Sequence, residues 1–307
     1  MGEREQALRR WENIRFSQVF DADDEQLKKL YDHKLSEVDF RTLFKDAIEA
    51  IHEGGLDIEP LRRLIAEWVD EEKIRSSPKK LFLVTYSLTD KRELDMDADE
   101  LEEGKLRDML LASAYVPLFQ RKKLDGKDYV DGSVHNIVPI SSLLERGYRD
   151  IIVIRIFGVG FEKRTRIPKD ANIITVAPRE RLGGVLQFDA AQSRRLLQLG
   201  YFDGLRMLYG LAGEKYYIDR QWSETEAYFA LQELCRLVIK EEIPSLRALN
   251  ETILPKLAKH LKVKDGGYYD LLTALLERLA ERQGISPFRV RTEEMLLLEI
   301  AAKMKKK

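Results

Sequence analysis

Tyr129-Val130-Asp131-Gly132-Ser133 is a short run of β-formers that stops on an Asp-Gly turn, and the segments on either side of it decide the architecture. Downstream, Ile151-Ile152-Val153-Ile154 returns to a strand signal. Upstream, Leu81-Phe82-Leu83-Val84-Thr85-Tyr86 reads as a strand bounded by Lys79-Lys80 and a Thr89-Asp90 turn. Lys105 to Tyr115 reads as a helix that ends before Pro117. Strands alternating with helices predict an α/β sheet. The run from Ile151 to Phe157 lacks alternation, which predicts a parallel strand covered on both faces, with Ile173-Ile174-Thr175-Val176 as its companion.

Outside this block the pattern is helical. Phe40, Leu43, Phe44, Ile48 and Ile51 share one face at helical spacing, with Asp39 as cap and Gly54-Gly55 as stop. A second set, Leu61, Leu64, Ile65, Trp68 and Val69, is entered through Asp57 and Pro60. From about residue 185 strand signals vanish. Helical patterns then run through Leu231, Leu234, Cys235 and Val238, through Tyr268 to Leu279, and through Met295 to Ile300. They predict an all-helical extension.

The chain has 307 residues, 44% hydrophobic and 34% charged, with a formal net charge of -1. That profile fits a charged, helix-rich globular protein and argues against nucleic acid as a partner. The lone Cys235 falls in an apolar helical pattern, which predicts a core thiol in a reducing compartment. A charged amino terminus and the absence of a run of about 20 apolar residues predict a cytoplasmic protein. The Lys303-Met304-Lys305-Lys306-Lys307 tail is read as frayed and solvated.

Asp131 is a candidate catalytic residue, although an Asp-Gly pair taken alone is more often a structural turn. A carboxylate that takes a proton from a hydroxyl must sit on a rigid turn at the edge of a site, and Gly132 provides for the sharp turn and close approach of substrate. No Gly-x-Ser-x-Gly segment accompanies it. Ser87 follows a strand without flanking glycines and reads as a turn hydroxyl; Ser113 and Ser133 likewise read as structural. His135 lies near the Asp-Gly turn but has no partners of a conventional triad, while His33, His52 and His260 sit on ordinary helical stretches. No cluster has metal-ligand spacing, and Gly158-Val159-Gly160-Phe161 lacks the remaining glycine of a nucleotide loop. The expectation is no metal and no cofactor.

Four segments in order resemble the patatin-like phospholipases: Ala112-Ser113-Ala114-Tyr115-Val116-Pro117, Asp125 to Ser133, Asn136-Ile137-Val138-Pro139, and Arg149 to Ile154. Leu81 to Lys91 and Trp11-Glu12-Asn13-Ile14 extend the resemblance to roughly residues 8–210. It implies a three-layer parallel-sheet core over residues 1–212, with amino-terminal strands missing, and a helical extension over 213–307. It also implies a serine-aspartate dyad in which Asp131 is the base, acting on an acyl lipid or phospholipid at a membrane periphery. The chain departs from the family in having Ser133 in the third place of the Asp-Gly block. It also lacks the glycine-rich oxyanion loop and the elbow serine. These gaps predict an exposed sheet edge and therefore self-association or a complementing chain. A catalytically inactive lipid-binding or protein-interaction module is the second reading, and an unrelated α/β protein with a coincidental turn is the third.

Overall fold

The structure, a computed structural model, describes residues 3–19, 21, 24, 55–117, 119–158, 160–183, 188–239, 245–264 and 266–305. The helix expected around Phe40 to Ile51, with Asp39 and Gly54, lies outside the described residues, as do His33 and His52. The chain forms two compact units, Met1–Leu197 and Gln198–Lys307.

In the first unit, α1 (Glu3–Glu12) leads through a 3₁₀ turn to α2 (Glu59–Trp68) and α3 (Glu71–Arg75). The predicted α2 is present, with Pro60 in its first turn, where no intrahelical N–H is needed. The Asp57 carboxylate accepts the Glu59 N–H at 3.2 Å. Asp70 caps α3 by accepting the Lys73 N–H.

Strand β1 (Phe82–Ser87) follows, then a tight turn and β2 (Arg92–Asp97), α4 (Leu106–Ser113), β3 (Tyr129–Asp131), α5 (Ser133–Asn136), α6 (Ile140–Glu145), β4 (Asp150–Ile154) and β5 (Asn172–Val176). The strands form two sheets. One is antiparallel, in the order β2-β1-β3; the other is the parallel pair β4-β5, aligned Ile152 to Ile174. The result is a mixed α/β unit whose parallel strand pair among the described residues is β4-β5, beside an isolated parallel bridge between Leu56 and Phe119.

Leu83, Thr85 and Ser87 alternate into the core side of β1, and the main cluster beneath includes Ile14, Phe16, Ile58, Leu106, Leu111 and Phe119. Strand β4 departs from expectation. Ile151 and Val153 are buried against Leu144, whereas Ile152 and Ile154 are 59% and 76% exposed. An uninterrupted apolar run signals cover on both faces, but only one face of β4 is covered by described residues. The strand also stops at Ile154, so Ile156 and Phe157 belong to the following loop.

Helix α7 (Ala190–Tyr209) contains the unit boundary. The second unit continues with β6 (Tyr217–Asp219), α8 (Glu224–Ile239), α9 (Leu246–Ala248), a π-helical turn, α10 (Leu254–Leu261), α11 (Tyr268–Arg282), β7 (Val290–Thr292) and α12 (Glu293–Met304). This region is helical as expected, with one addition: β6 and β7 pair in parallel over three residues each, too short to produce a period-two signal. Leu231, Leu234 and Cys235 of α8 pack with Leu272, Leu276 and Leu279 of α11. Burial pushes the Cys235 thiol up, as a core cysteine requires.

Several backbone N–H groups of this unit are satisfied by two carboxylates, the half-buried Glu277 and the buried Glu293. Glu277 Oε1 accepts the N–H groups of Glu214, Lys215 and Tyr216, each at 2.8 Å. The fully buried Glu293 accepts from the Tyr269 hydroxyl at 2.8 Å and from the N–H groups of Gln221 and Trp222. Asp203 accepts from Arg206 and from the Tyr217 hydroxyl, so this buried ion pair has further hydrogen-bond support.

Candidate functional site

The site is built on β1. Its central residue Thr85 is fully buried, and its hydroxyl lies 2.9 Å from two acceptors, the carbonyls of Ala112 at the end of α4 and Val130 in β3. One residue away, the Ser113 hydroxyl donates to the Val84 carbonyl at 2.8 Å. Asp131 then receives its own support, because its N–H donates to the Tyr115 carbonyl at 2.8 Å. These bonds position the end of β3 between β1 and the segment after α4.

At the turn, Asp131 Oδ1 accepts the Ser133 N–H at 2.7 Å. The bond closes a two-residue Asx-type loop that orients the carboxylate. Gly132 has φ -56° and ψ -24°, ordinary helical values, so the turn itself does not demand glycine. The requirement is space: a Cβ at this position would stand 2.6 Å from the Val84 carbonyl oxygen and 3.0 Å from its carbon. The expected sharp-turn role is therefore corrected to one of close packing against β1.

After the turn, the Gly132 carbonyl accepts from His135 and Asn136, forming the short α5. Further on, α6 is held to the hairpin by Asp95 of β2, which accepts from the Ser142 hydroxyl at 2.9 Å and from Arg146 at 2.7 Å. The Arg146 guanidinium also stacks 4.4 Å over the Phe82 ring.

Between these elements lies a cleft of about 530 Å³. Its wall carries Asp131, Gly132 and Ser133, with Phe82 and Val84 of β1, Ile137 to Ile140, and Ile151 to Ile154 of β4. A mostly aliphatic cleft with a fixed carboxylate at its wall combines apolar binding surface with a group able to accept a proton.

Asn136, also on the cleft, is a residue the sequence did not single out. It is 2% exposed, and neither Nδ2 nor Oδ1 has a hydrogen-bond partner among the described residues. Two unmet polar atoms on one buried side chain cost on the order of 1–3 kcal/mol each, the kind of expense found where a polar group serves a ligand. Its only sequence signal is a polar residue between His135 and an apolar run, which is also how a surface helix end looks.

Two serines near Asp131 have their hydroxyls engaged elsewhere. Ser113 donates to Val84 and Ser142 to Asp95, and Ser133 meets Asp131 through its backbone. No serine hydroxyl hydrogen-bonds Asp131 among the described residues. Ser87 is fully buried and accepts the Asp90 N–H, consistent with a turn hydroxyl. His135 faces away from the cleft lining: its ring packs 5.4 Å from that of Tyr86, and Nε2 lies 3.5 Å from Glu93 Oε2. His260 is on the exposed side of α10. Among the described residues no group of three His, Cys, Asp or Glu side chains is disposed to hold a metal ion. No helix among them is long and apolar enough to cross a membrane.

Residues 12–144 match the family model described as patatin-like phospholipase, a span that includes β1 to β3 and Asp131. No curated protein matches the chain.

Proposed function

Because the chain belongs, over residues 12–144, to the patatin-like phospholipase family, a family of lipid acyl hydrolases, we propose that Asp131 is the base of a serine-aspartate dyad that cleaves acyl-lipid esters. The supporting observation is the placement of the Asp131 carboxylate, oriented by the Ser133 N–H, on the wall of an aliphatic cleft. In this reaction the serine proton passes to Asp131 as Oγ bonds to the ester carbonyl carbon, and the departing alcohol takes that proton. Water then gives a proton to Asp131 as its oxygen bonds to the acyl carbon, and the acyl–Oγ bond breaks as Oγ takes that proton back, freeing the fatty acid. Family resemblance supplies the dyad; the serine is proposed to come from a complementing segment or chain. The exposed Ile152 and Ile154 beside the cleft offer apolar surface for an added strand to cover.

A second reading has an observation of its own. The Ser113 and Ser142 hydroxyls both bond elsewhere, which favours a patatin-like lipid-binding module that performs no chemistry by itself.

The test is fluorophosphonate labelling followed by intact-mass measurement, run beside hydrolysis of a soluble acyl ester. A stoichiometric serine adduct and turnover that both disappear in Asp131→Asn establish the dyad. Turnover unchanged by Asp131→Asn removes Asp131 from the mechanism, and no adduct with no turnover shows that the chain supplies no nucleophile by itself.

A further inference from the structure

We infer that residues 155–158 and 160–169, the loop leaving β4, dock onto an anionic lipid surface and bring it to the Asp131 cleft; this rests on the lipid-directed reading above.

Charge is the first argument. Arg155 pairs with Glu162, and Asp170 just beyond the loop pairs with Arg149 at 3.0 Å. That leaves Lys163, Arg164, Arg166 and Lys169, all exposed and none in an ion pair among the described residues. Four uncompensated cations within seven residues stand out on a chain whose formal net charge is -1.

The second argument is what lies among these cations. Ile156, Phe157, Phe161 and Ile167 are 67%, 64%, 64% and 43% exposed. Large apolar side chains held in water gain by entering an acyl boundary, and flanking cations gain from anionic headgroups. Nucleic acid would use the charge but offers no hydrocarbon medium for these four side chains. A lipid surface uses both.

Position is the third. The Phe161 N–H donates to the Ser133 carbonyl at 2.9 Å, and the Phe161 carbonyl accepts the Ile137 N–H at 2.8 Å. Phe161 is thereby tied on both sides to the short helix that starts at Gly132. Gly160 makes the approach sterically feasible, since a Cβ there would come 2.5 Å from the Ser133 oxygen. A bilayer engaged by this loop would meet the protein next to Asp131.

The experiment is co-sedimentation of the full chain with phosphatidylcholine vesicles and with vesicles that also contain phosphatidylserine. Binding is expected to the anionic vesicles and to weaken with salt. Each cation near such a surface is worth about a five-fold factor in partitioning, so Lys163→Gln, Arg164→Gln, Arg166→Gln and Lys169→Gln combined should reduce binding by about a hundred-fold or more. Phe157→Ser with Phe161→Ser should weaken binding while leaving its salt dependence. Circular dichroism checks that the variants fold, and these exposed changes lie outside the proposed catalytic machinery. Equal binding to both vesicle types, or full binding by the four-fold glutamine variant, overturns the inference. So does retention on DNA with no vesicle binding, or self-association through Phe157 and Phe161 in place of lipid binding. Asp131→Asn should bind vesicles like the parent. Vesicle binding without ester turnover would defeat the hydrolase reading alone, and turnover of a soluble ester without vesicle binding would defeat the docking inference alone.

Discussion

Replacing Gly132 by alanine sets two physical effects against each other with opposite signs. At φ -56° and ψ -24°, at the start of α5, alanine is conformationally at home. The unfolded chain would lose freedom, and the usual consequence is stabilisation by about 0.4–1 kcal/mol. Against this, the new methyl would stand 2.6 Å from the Val84 oxygen, where ordinary contact begins near 3.4 Å. Relief requires β1 and the Asp131 turn to separate by about 0.8 Å, the difference between those two distances. The atoms in the way are backbone and cannot rotate aside, and Thr85 and Ser113 hold the same strand to its neighbours. Overpacking of this kind costs about 1–3 kcal/mol, so the expected net effect is destabilisation by about 1–2 kcal/mol. For a unit of this size that is a fall of about 2–4 °C per kcal/mol in the unfolding midpoint. Urea unfolding monitored by tryptophan fluorescence suits the measurement, because Trp11 and Trp68 meet edge to face at 6.0 Å within the first unit. A stability equal to or above that of the parent would refute the claim that close packing, rather than backbone conformation, reserves this position for glycine.

Thr85→Val keeps the shape of the side chain but removes the hydroxyl facing the Ala112 and Val130 carbonyls; a loss of about 1–2 kcal/mol in urea unfolding is expected, and an unchanged midpoint would show that the hydroxyl contributes nothing. Glu277 supplies a pH test. Burial raises its carboxyl above the usual value of 4.5, so the folded unit binds this proton more tightly than the unfolded chain. The associated stability is complete below 4.5 and is lost as pH rises through the folded value, with a slope of at most about 1.4 kcal/mol per pH unit. Glu277→Gln has no such proton, and the stability of the parent relative to this variant should therefore fall over that window; a constant difference across pH would refute the assignment.

What could be read from the sequence follows local chemistry. The Phe82–Ser87 strand, the helix entered through Pro60 and the Asp-Gly turn all announce themselves through residue type and spacing. Arg92–Asp97 does not: its side chains are mostly polar, and it becomes a strand because a short turn returns it along β1. The Ile151 run was legible as a strand, but whether Ile152 and Ile154 are covered depends on elements far away in the chain. The glycine of the turn was legible while its purpose was not, because the obstructing oxygen belongs to Val84, forty-eight positions earlier. Asn136 was illegible as a site residue for the same reason, since its isolation from partners exists only after the surrounding elements pack.

The carboxylates of the second unit carry a consequence for synthesis. Glu277 and Glu293 satisfy backbone groups between Glu214 and Trp222, and β6 has β7 as its strand partner. Every one of those partners is encoded some sixty to seventy residues later. While the ribosome is still making α11, the stretch from Glu214 to Trp222 has emerged and can reach Ala212 and Arg206, but its bonds to Glu293 and β7 cannot yet form. Translation must pass Glu293 before these bonds can form, so a nascent chain stalled ahead of it would present that stretch open to proteases and chaperones.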